Sequence, residues 1–427
     1  MARVTTRAAR WIFIALISLA GCDDGGGGDT DGGVRPGGDA GTPEPPGPGC
    51  NSVRLTRYAA NDNGWCEMPR SLPILPAFVR DEGLTAAIAE PFNNGDGGEP
   101  GEACGECWEV DTIAGTRTVM ITDLCPNDGN PLCQGAHFHL DVSEEASAAL
   151  NAGFLDEGQA RRVPCPVDGN LHVLINDENV SYLRLQFVNH RVPIRSASIR
   201  STAAGSPEVA LRRSGGAWEA VDDTPLDRGG DGVTFTITSA QGQTVESTVV
   251  VPTHPPRGST FDLGVQLDDL DPPTGGSCEF VPPGEIFDDG FGGIEDVRWQ
   301  IDPWGEAEMG FFGPVTDGCF DDDQCLRIET LGQYSGLHLY YRQAFPTETF
   351  SRVVLQARAS APGRIVVVPS HEGARCAQQM FDVGPDYAEI SIDVAAACGG
   401  LPMLNALTID NPGDTIALTL DDVRYER

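Results

Sequence analysis

Short runs of alternating apolar residues, broken by Gly, Asn, Asp and Pro, dominate the chain after residue 50. Thr118-Val119-Met120-Ile121-Thr122, Gly232 to Ser239 and Ile416 to Leu420 each repeat an apolar residue at a period of two. That period puts one face of a strand in a core and the other in water. Ser143 to Ala152 departs from it and predicts a helix, with Ser143 as its cap, Glu144 and Glu145 at its positive end and Gly153 as its stop. The pattern predicts a mainly β protein, and no long internal repeat organises it.

The first residues follow another pattern. Arg3, Arg7 and Arg10 precede the apolar run Trp11 to Leu19, which ends in Leu19-Ala20-Gly21-Cys22. The run is too short to span a bilayer. Residues 1–22 resemble a bacterial lipoprotein signal, in which Cys22 is lipidated and becomes the mature N-terminus. Residues 23–49 are a Gly/Pro/Asp-rich stretch without apolar periodicity, expected to be a disordered linker. Composition breaks near residue 166 and across 268–277 then divide the rest into three folded parts, 50–166, 167–267 and 278–427.

Charge narrows the partners. The chain has 427 residues and a formal net charge of -35, from 63 acidic against 28 basic side chains. Such a surface repels nucleic acid and anionic lipid, and an uncharged polysaccharide suits it better. Of the 13 cysteines, 12 remain when Cys22 is set aside, an even number that suits a disulfide framework in an exported protein. Seven fall in 50–166 and five in 278–427, both odd. Either one bridge joins the two parts or two thiols stay free; Cys278 sits at its domain edge, as Cys50 does, and one of them is expected to be the odd partner. Cys125–Cys133, Cys319–Cys325 and Cys376–Cys398 are the short-range candidates.

Ordered motifs carry the chemistry of 50–166. Leu55-Thr56-Arg57-Tyr58 comes first, then Cys104-Gly105-Glu106-Cys107, then Thr122-Asp123-Leu124-Cys125-Pro126, then His139-Leu140-Asp141-Val142-Ser143 before the predicted helix. In this order they resemble expansins and a related family of inverting endoglucanases. The resemblance implies a six-stranded double-psi β-barrel with an open glucan groove. It places Asp141 as the general acid, Asp123 as its neighbour, and Thr56 and Tyr58 on the groove floor. Inverting hydrolysis needs a second carboxylate to activate water. The endoglucanase base position, two residues after the tyrosine, is Ala60 here, with Asp62 two residues further on. Loss of the base favours a non-hydrolytic, loosening action. The rivals are an endoglucanase using Asp62, a peptidoglycan lytic transglycosylase using Asp141 alone, and a non-catalytic adhesion protein. His137, His139 and Asp141 alternate and would share a strand face, a weak candidate for a metal.

In 167–267, Val188-Asn189-His190-Arg191-Val192-Pro193 resembles the expansin C-terminal module, which implies an Ig-like β-sandwich that binds cellulose. On the strand before it, Leu183, Leu185 and Phe187 read as core. Tyr182, Arg184 and Gln186 would then face solvent and hold sugar, while Trp218 reads as core. Residues 278–427 resemble the jelly-roll β-sandwiches of carbohydrate-binding modules, with first and last strands adjacent. Asp288 and Asp421 at those two ends are candidates for a structural Ca²⁺, and Trp299, Trp304, Tyr340 and Tyr341 for a sugar platform. The sequence thus describes an exported monomer without a catalytic cofactor. It would be anchored by lipid at the cell surface or periplasmic face, and its partner would be cellulose, another plant-type glucan or peptidoglycan.

Overall fold

A computed structural model describes residues 49–427 except 62, 91, 95–99, 127–132, 134–136, 180–181, 221–229, 269, 271–277, 281–284, 288–298, 309 and 321–323. Cys22, Asp62 and Asp288 lie outside the described residues. No helix among the described residues is long and apolar enough to cross a membrane.

Six strands close a barrel: β1 (Asn51–Tyr58), β2 (Thr85–Ala89), β3 (Cys107–Thr112), β4 (Gly115–Cys125), β5 (His139–Ser143) and β6 (Phe154–Val163), in the order β1-β5-β2-β4-β3-β6. β1 runs parallel to β5 and β2 parallel to β4; the other pairs are antiparallel. Parallel neighbours cannot be joined by a tight turn, and β1 and β5, like β2 and β4, are separated by long stretches of chain; the one-turn α1 (Ala77–Arg80) lies between β1 and β2. Leu55, Trp108, Val119, Ile121, Leu140 and Val142 fill the core. The expected helix is α2 (Glu144–Leu150), where Ser143 Oγ accepts the Ala146 N–H at 3.1 Å. It ends at Asn151 in the left-handed conformation (φ 47°), two residues before the expected Gly153. Asparagine tolerates that region better than most side chains.

Residues beyond the barrel build an eight-stranded sheet: β7 (His172–Asn179), β8 (Tyr182–Val188), β9 (Ile194–Ser201), β10 (Glu208–Ser214), β11 (Ala217–Ala220), β12 (Val233–Ser239), β13 (Thr244–Glu246) and β14 (Thr260–Asp262). The long β10 pairs with β9 through Glu208–Ala210 and with β11 through Leu211–Ser214, so the sheet folds over on itself. Phe187 meets both Trp218 and Phe235 edge-on inside the fold, which puts Trp218 in the core as expected.

Among the described residues twelve strands follow: β15 (Glu285–Phe287), β16 (Trp299–Trp304), β17 (Phe312–Val315), β18 (Cys325–Leu331), β19 (Gly336–Pro346), β20 (Arg352–Ala359), β21 (Gly363–His371), β22 (Ala374–Arg375), β23 (Gln379–Val383), β24 (Ala388–Asp393), β25 (Met403–Asp410) and β26 (Ile416–Glu426). They form two six-stranded sheets around Leu337, Leu339, Phe345, Leu355, Ile365 and Leu418. First and last strands are neighbours, since β15 pairs with β26.

Every described cysteine is paired. The three short-range candidates form, Cys66–Cys104 and Cys107–Cys165 lie in the barrel region, and Cys50–Cys278 ties the start of the barrel to the start of the third region. The odd cysteine counts are thereby explained. Asp111 Oδ2, accepting the Phe280 N–H at 2.8 Å, and Asn151 O, accepting from Gln343 Nε2 at 2.9 Å, join the same two parts.

Candidate functional site

Strand register builds the site. Ala87 on β2 stands opposite Asp141 on β5 and opposite Asp123 on β4. The β2–β4 register shifts between Ala86 and Ala87, and a shift of this kind re-aims the side chains beyond it. Two carboxylates therefore flank one methyl group in a single row. With neighbouring strands about 4.8 Å apart, the two aspartate Cα atoms lie about 10 Å from each other. Thr56 extends the row, because β1 and β5 run in parallel register with Leu55 beside Leu140 and Arg57 beside Val142.

The side chains in this row are bonded to one another. Thr56 Oγ1 donates to Asp141 Oδ1 at 2.7 Å and lies 2.7 Å from His139 Nε2. A hydroxyl has a single proton. When Thr56 gives it to the carboxylate, His139 Nε2 must carry a proton and donate to Thr56. His139 is 1% exposed. His137 precedes β5 and is exposed, so the alternating histidine–aspartate face does not form. Cys125, Cys133 and His139 do bring their ligand-type atoms together, but both sulfurs are spent in a disulfide and thiolates are what a metal needs.

Asp141 is half-buried. Burial pushes its carboxyl above the usual range, the Thr56 hydrogen bond opposes the shift, and the charge of Asp123 adds to it. Burial likewise pushes the Tyr58 phenol up, helped by the charges of Asp123 and Asp141. One oxygen of Asp123 is held by the backbone. Its Oδ1 accepts the N–H of Trp65 at 2.7 Å and of Leu124 at 2.9 Å. Asn61 Oδ1 accepts the N–H groups of Asn63 and Gly64 and turns this loop. At Gly64 (φ 57°) a Cβ would lie 2.1 Å from the Thr122 carbonyl, so only glycine lets Trp65 reach Asp123. Ala60 is half-buried and has no proton-accepting side chain.

Thr56, Tyr58, Asp123 and Asp141 therefore come together. Tyr182, Arg184 and Gln186 do not join them on an open face. Gln186 is 3% exposed, and its amide donates to Cys66 O at 2.6 Å and to Gly216 O. Arg184 is held between Glu67, on a barrel loop, and Glu219, and its hydrogen bond to Glu67 makes it hold its proton more firmly than usual. The Tyr182 hydroxyl donates to Glu219 Oε1 at 2.8 Å. The expectation of a solvent face is corrected here: the barrel loop around Cys66 and Glu67 covers it. Asp421 lies on β26. It is fully buried, and its two oxygens accept the backbone N–H groups of Phe320 at 2.7 Å and Asp422 at 2.9 Å. Tyr341 is core, while Trp304 and Tyr340 are half-buried; the Trp299 side chain lies outside the described residues.

Sequence reasoning missed Ala87, Trp65 and the bonding of His139 to Thr56. An alanine carries no chemical signal. The Asn-x-Asn-Gly turn before Trp65 was the one trace of the loop.

Part of the chain is similar to known proteins. Residues 54–165 match the family model described as EXPB1-like domain 1. Expansin-like protein 2 of Dictyostelium discoideum is 32% identical over 158 residues, covering 36% of this chain and 36% of that protein. Another expansin-like protein of the same organism is 22% identical over 401 residues, covering 86% and 87% of the two chains. The crystal structure of the apo expansin of Clavibacter michiganensis is similar over 52% of this chain and 100% of that one, with 24% identity and a TM-score of 0.40. The chain spans 36% to 63% of the length of four Dictyostelium expansin-like relatives. Residues 54–165, which match that domain model, are thus similar to expansin domain 1 and fall on the closed six-stranded barrel, and further β-sheets follow.

Proposed function

We propose that this chain binds a neutral cell-wall polysaccharide, a cellulose-like glucan, along the Thr56–Asp141–Ala87–Asp123 row and loosens it without cutting it. One observation carries this reading: the row holds a single carboxylate suited to proton transfer. Asp141 has a raised pKa and accepts the Thr56 hydroxyl, whereas Asp123 is bound to two backbone amides and the base position is Ala60. Inverting hydrolysis needs a second carboxylate free to activate water. Asp141 would hydrogen-bond a sugar hydroxyl or glycosidic oxygen, and Tyr58 would remain a neutral donor at the floor. Expansin-like relatives support a polysaccharide ligand. We further propose export and anchoring through a lipidated Cys22, tested by labelling cells with a radioactive fatty acid and comparing Cys22→Ser.

The proton-holding Asp141 also suits a lytic transglycosylase, which needs no activated water. Incubation of the protein with cellulose and with peptidoglycan separates the readings. The expected result is weakening of cellulose paper under load with no soluble sugar released, and loss of that weakening by about tenfold or more in Asp141→Asn. Sugar release that Asp141→Asn abolishes would overturn the non-hydrolytic reading, and binding without weakening would reduce the protein to an adhesin.

A further inference from the structure

The outer face of the sheet containing β19 carries side chains that the barrel groove leaves unused. Leu337, Leu339 and Tyr341 point into the core, which leaves His338 and Tyr340 on the outer face. Their register partners on β16 are Asp302 and Gln300, and Trp304 stands opposite Gly336. A Cβ at Gly336 would lie 2.3 Å from the Trp304 ring, so the indole rests on bare backbone. The His338 and Tyr340 rings are 5.8 Å apart, and the Tyr340 hydroxyl donates to Gln300 Oε1. His338 Nε2 is shielded from solvent and has no hydrogen-bond partner among the described residues. Nearby, Arg375 on β22 and Asp410 on β25 form an ion pair at 3.4 Å.

From Gly336 to Tyr340 this strip runs about 13 Å along the strand, with an aromatic surface at each end and hydrogen-bonding groups between. Rings accept the apolar faces of sugars, and the polar groups beside them read hydroxyls. A buried nitrogen without a partner is costly unless a ligand satisfies it. The cation of the strip, Arg375, is neutralised by Asp410, and the net charge of -35 repels anions. We infer that this face is a second glycan-binding site, which takes a neutral polysaccharide chain by stacking on Trp304 and Tyr340 and by hydrogen bonds to His338, Asp302 and Gln300. The inference rests on the reading that the ligand of the chain is a polysaccharide, and it adds a site to the groove.

The test is gel retardation of the intact protein in hydroxyethylcellulose, with cellulose-paper weakening and sedimentation measured on the same samples. Trp304→Ala should weaken retention at least about fivefold and Trp304→Tyr should restore most of it. His338→Ala serves in its place if the alanine variant at Trp304 fails to fold by circular dichroism. Retention unchanged in Trp304→Ala but reduced in Asp141→Asn overturns the second site and leaves the groove reading standing. Retention that depends on Trp304, in a protein that does not weaken paper, upholds the second site and overturns the loosening reading. No retention of the unmutated protein overturns both. A dimer that Trp304→Ala converts to monomer shows the face to be an interface between copies, which also overturns the site.

Discussion

Ala87 shows how a residue without chemistry can define a site. It sits in a five-residue strand whose side chains are all buried, and it is 2% exposed. Its methyl group occupies the gap between Asp141 and Asp123. If the row holds a sugar ring as proposed, a larger side chain there would fill the space it needs, and overfilling a packed position costs about 1–3 kcal/mol of stability. Ala87→Leu is therefore expected to abolish paper weakening while leaving a folded, less stable barrel. Ala87→Gly should keep the activity at a cost of about 1 kcal/mol in stability. Weakening assays paired with thermal melts check this, and an Ala87→Leu variant of normal activity would show that the row is not the groove. His139 teaches a related lesson. Its alternation with His137 and Asp141 was visible in sequence, but alternation specifies a face only inside a strand, and β5 begins at His139.

At the scale of elements, two motifs find their explanation in each other. Gly105, in the Cys-Gly-x-Cys phrase of the barrel, has φ 80°, and a Cβ on it would lie 2.4 Å from His190 Nε2. His190, in the Asn-His-Arg phrase that follows β8, is buried with Nδ1 2.8 Å from the Val192 carbonyl, and the next residue, Arg191, accepts the Cys165 N–H at 2.8 Å. These phrases join the barrel to the following sheet. Burial pushes the His190 imidazole down to about 4, with the charge of Arg213 adding to the effect. The folded protein rejects a proton that the unfolded chain accepts near pH 6.5. The stability tied to a neutral His190 is therefore present above about pH 6.5 and is lost as pH falls toward 4, in total about 3 kcal/mol. His190→Asn, which can still donate to Val192 O, should flatten the melting temperature between pH 6.5 and 4 relative to the unmutated chain. Equal slopes in the two proteins would show that other groups set the acid sensitivity. Periodicity revealed the core residues Leu183, Leu185 and Phe187 and the two residue sets of β8. What periodicity lacks is the identity of the neighbour on the second face, because the barrel loop that captures Arg184 and Gln186 lies more than a hundred residues earlier. The same limit applied to Asp421, whose amide donors come from Phe320 and Asp422.

For the whole molecule, cysteine parity was the most telling long-range signal in the sequence. Seven and five cysteines required a bridge between regions or two free thiols, and Cys50–Cys278 is that bridge across 228 residues. It fixes the barrel to the third region beside the Asp111–Phe280 hydrogen bond. If the groove and the Trp304 face both hold glycan, the bridge has a mechanical consequence. Two weak sites on a fixed frame bind a long polymer at high effective concentration, and release of the frame lowers that concentration without changing either site. A Cys50→Ser, Cys278→Ser double variant is then expected to bind short oligosaccharides as the unmutated protein does, yet to lose about tenfold or more in affinity for insoluble cellulose. Depletion binding with both ligands, on samples shown by calorimetry to retain folded regions, provides the comparison. Equal losses for oligosaccharide and polymer would mean that the bridge shapes a site directly, and no loss for the polymer would mean that the two sites do not act on one chain.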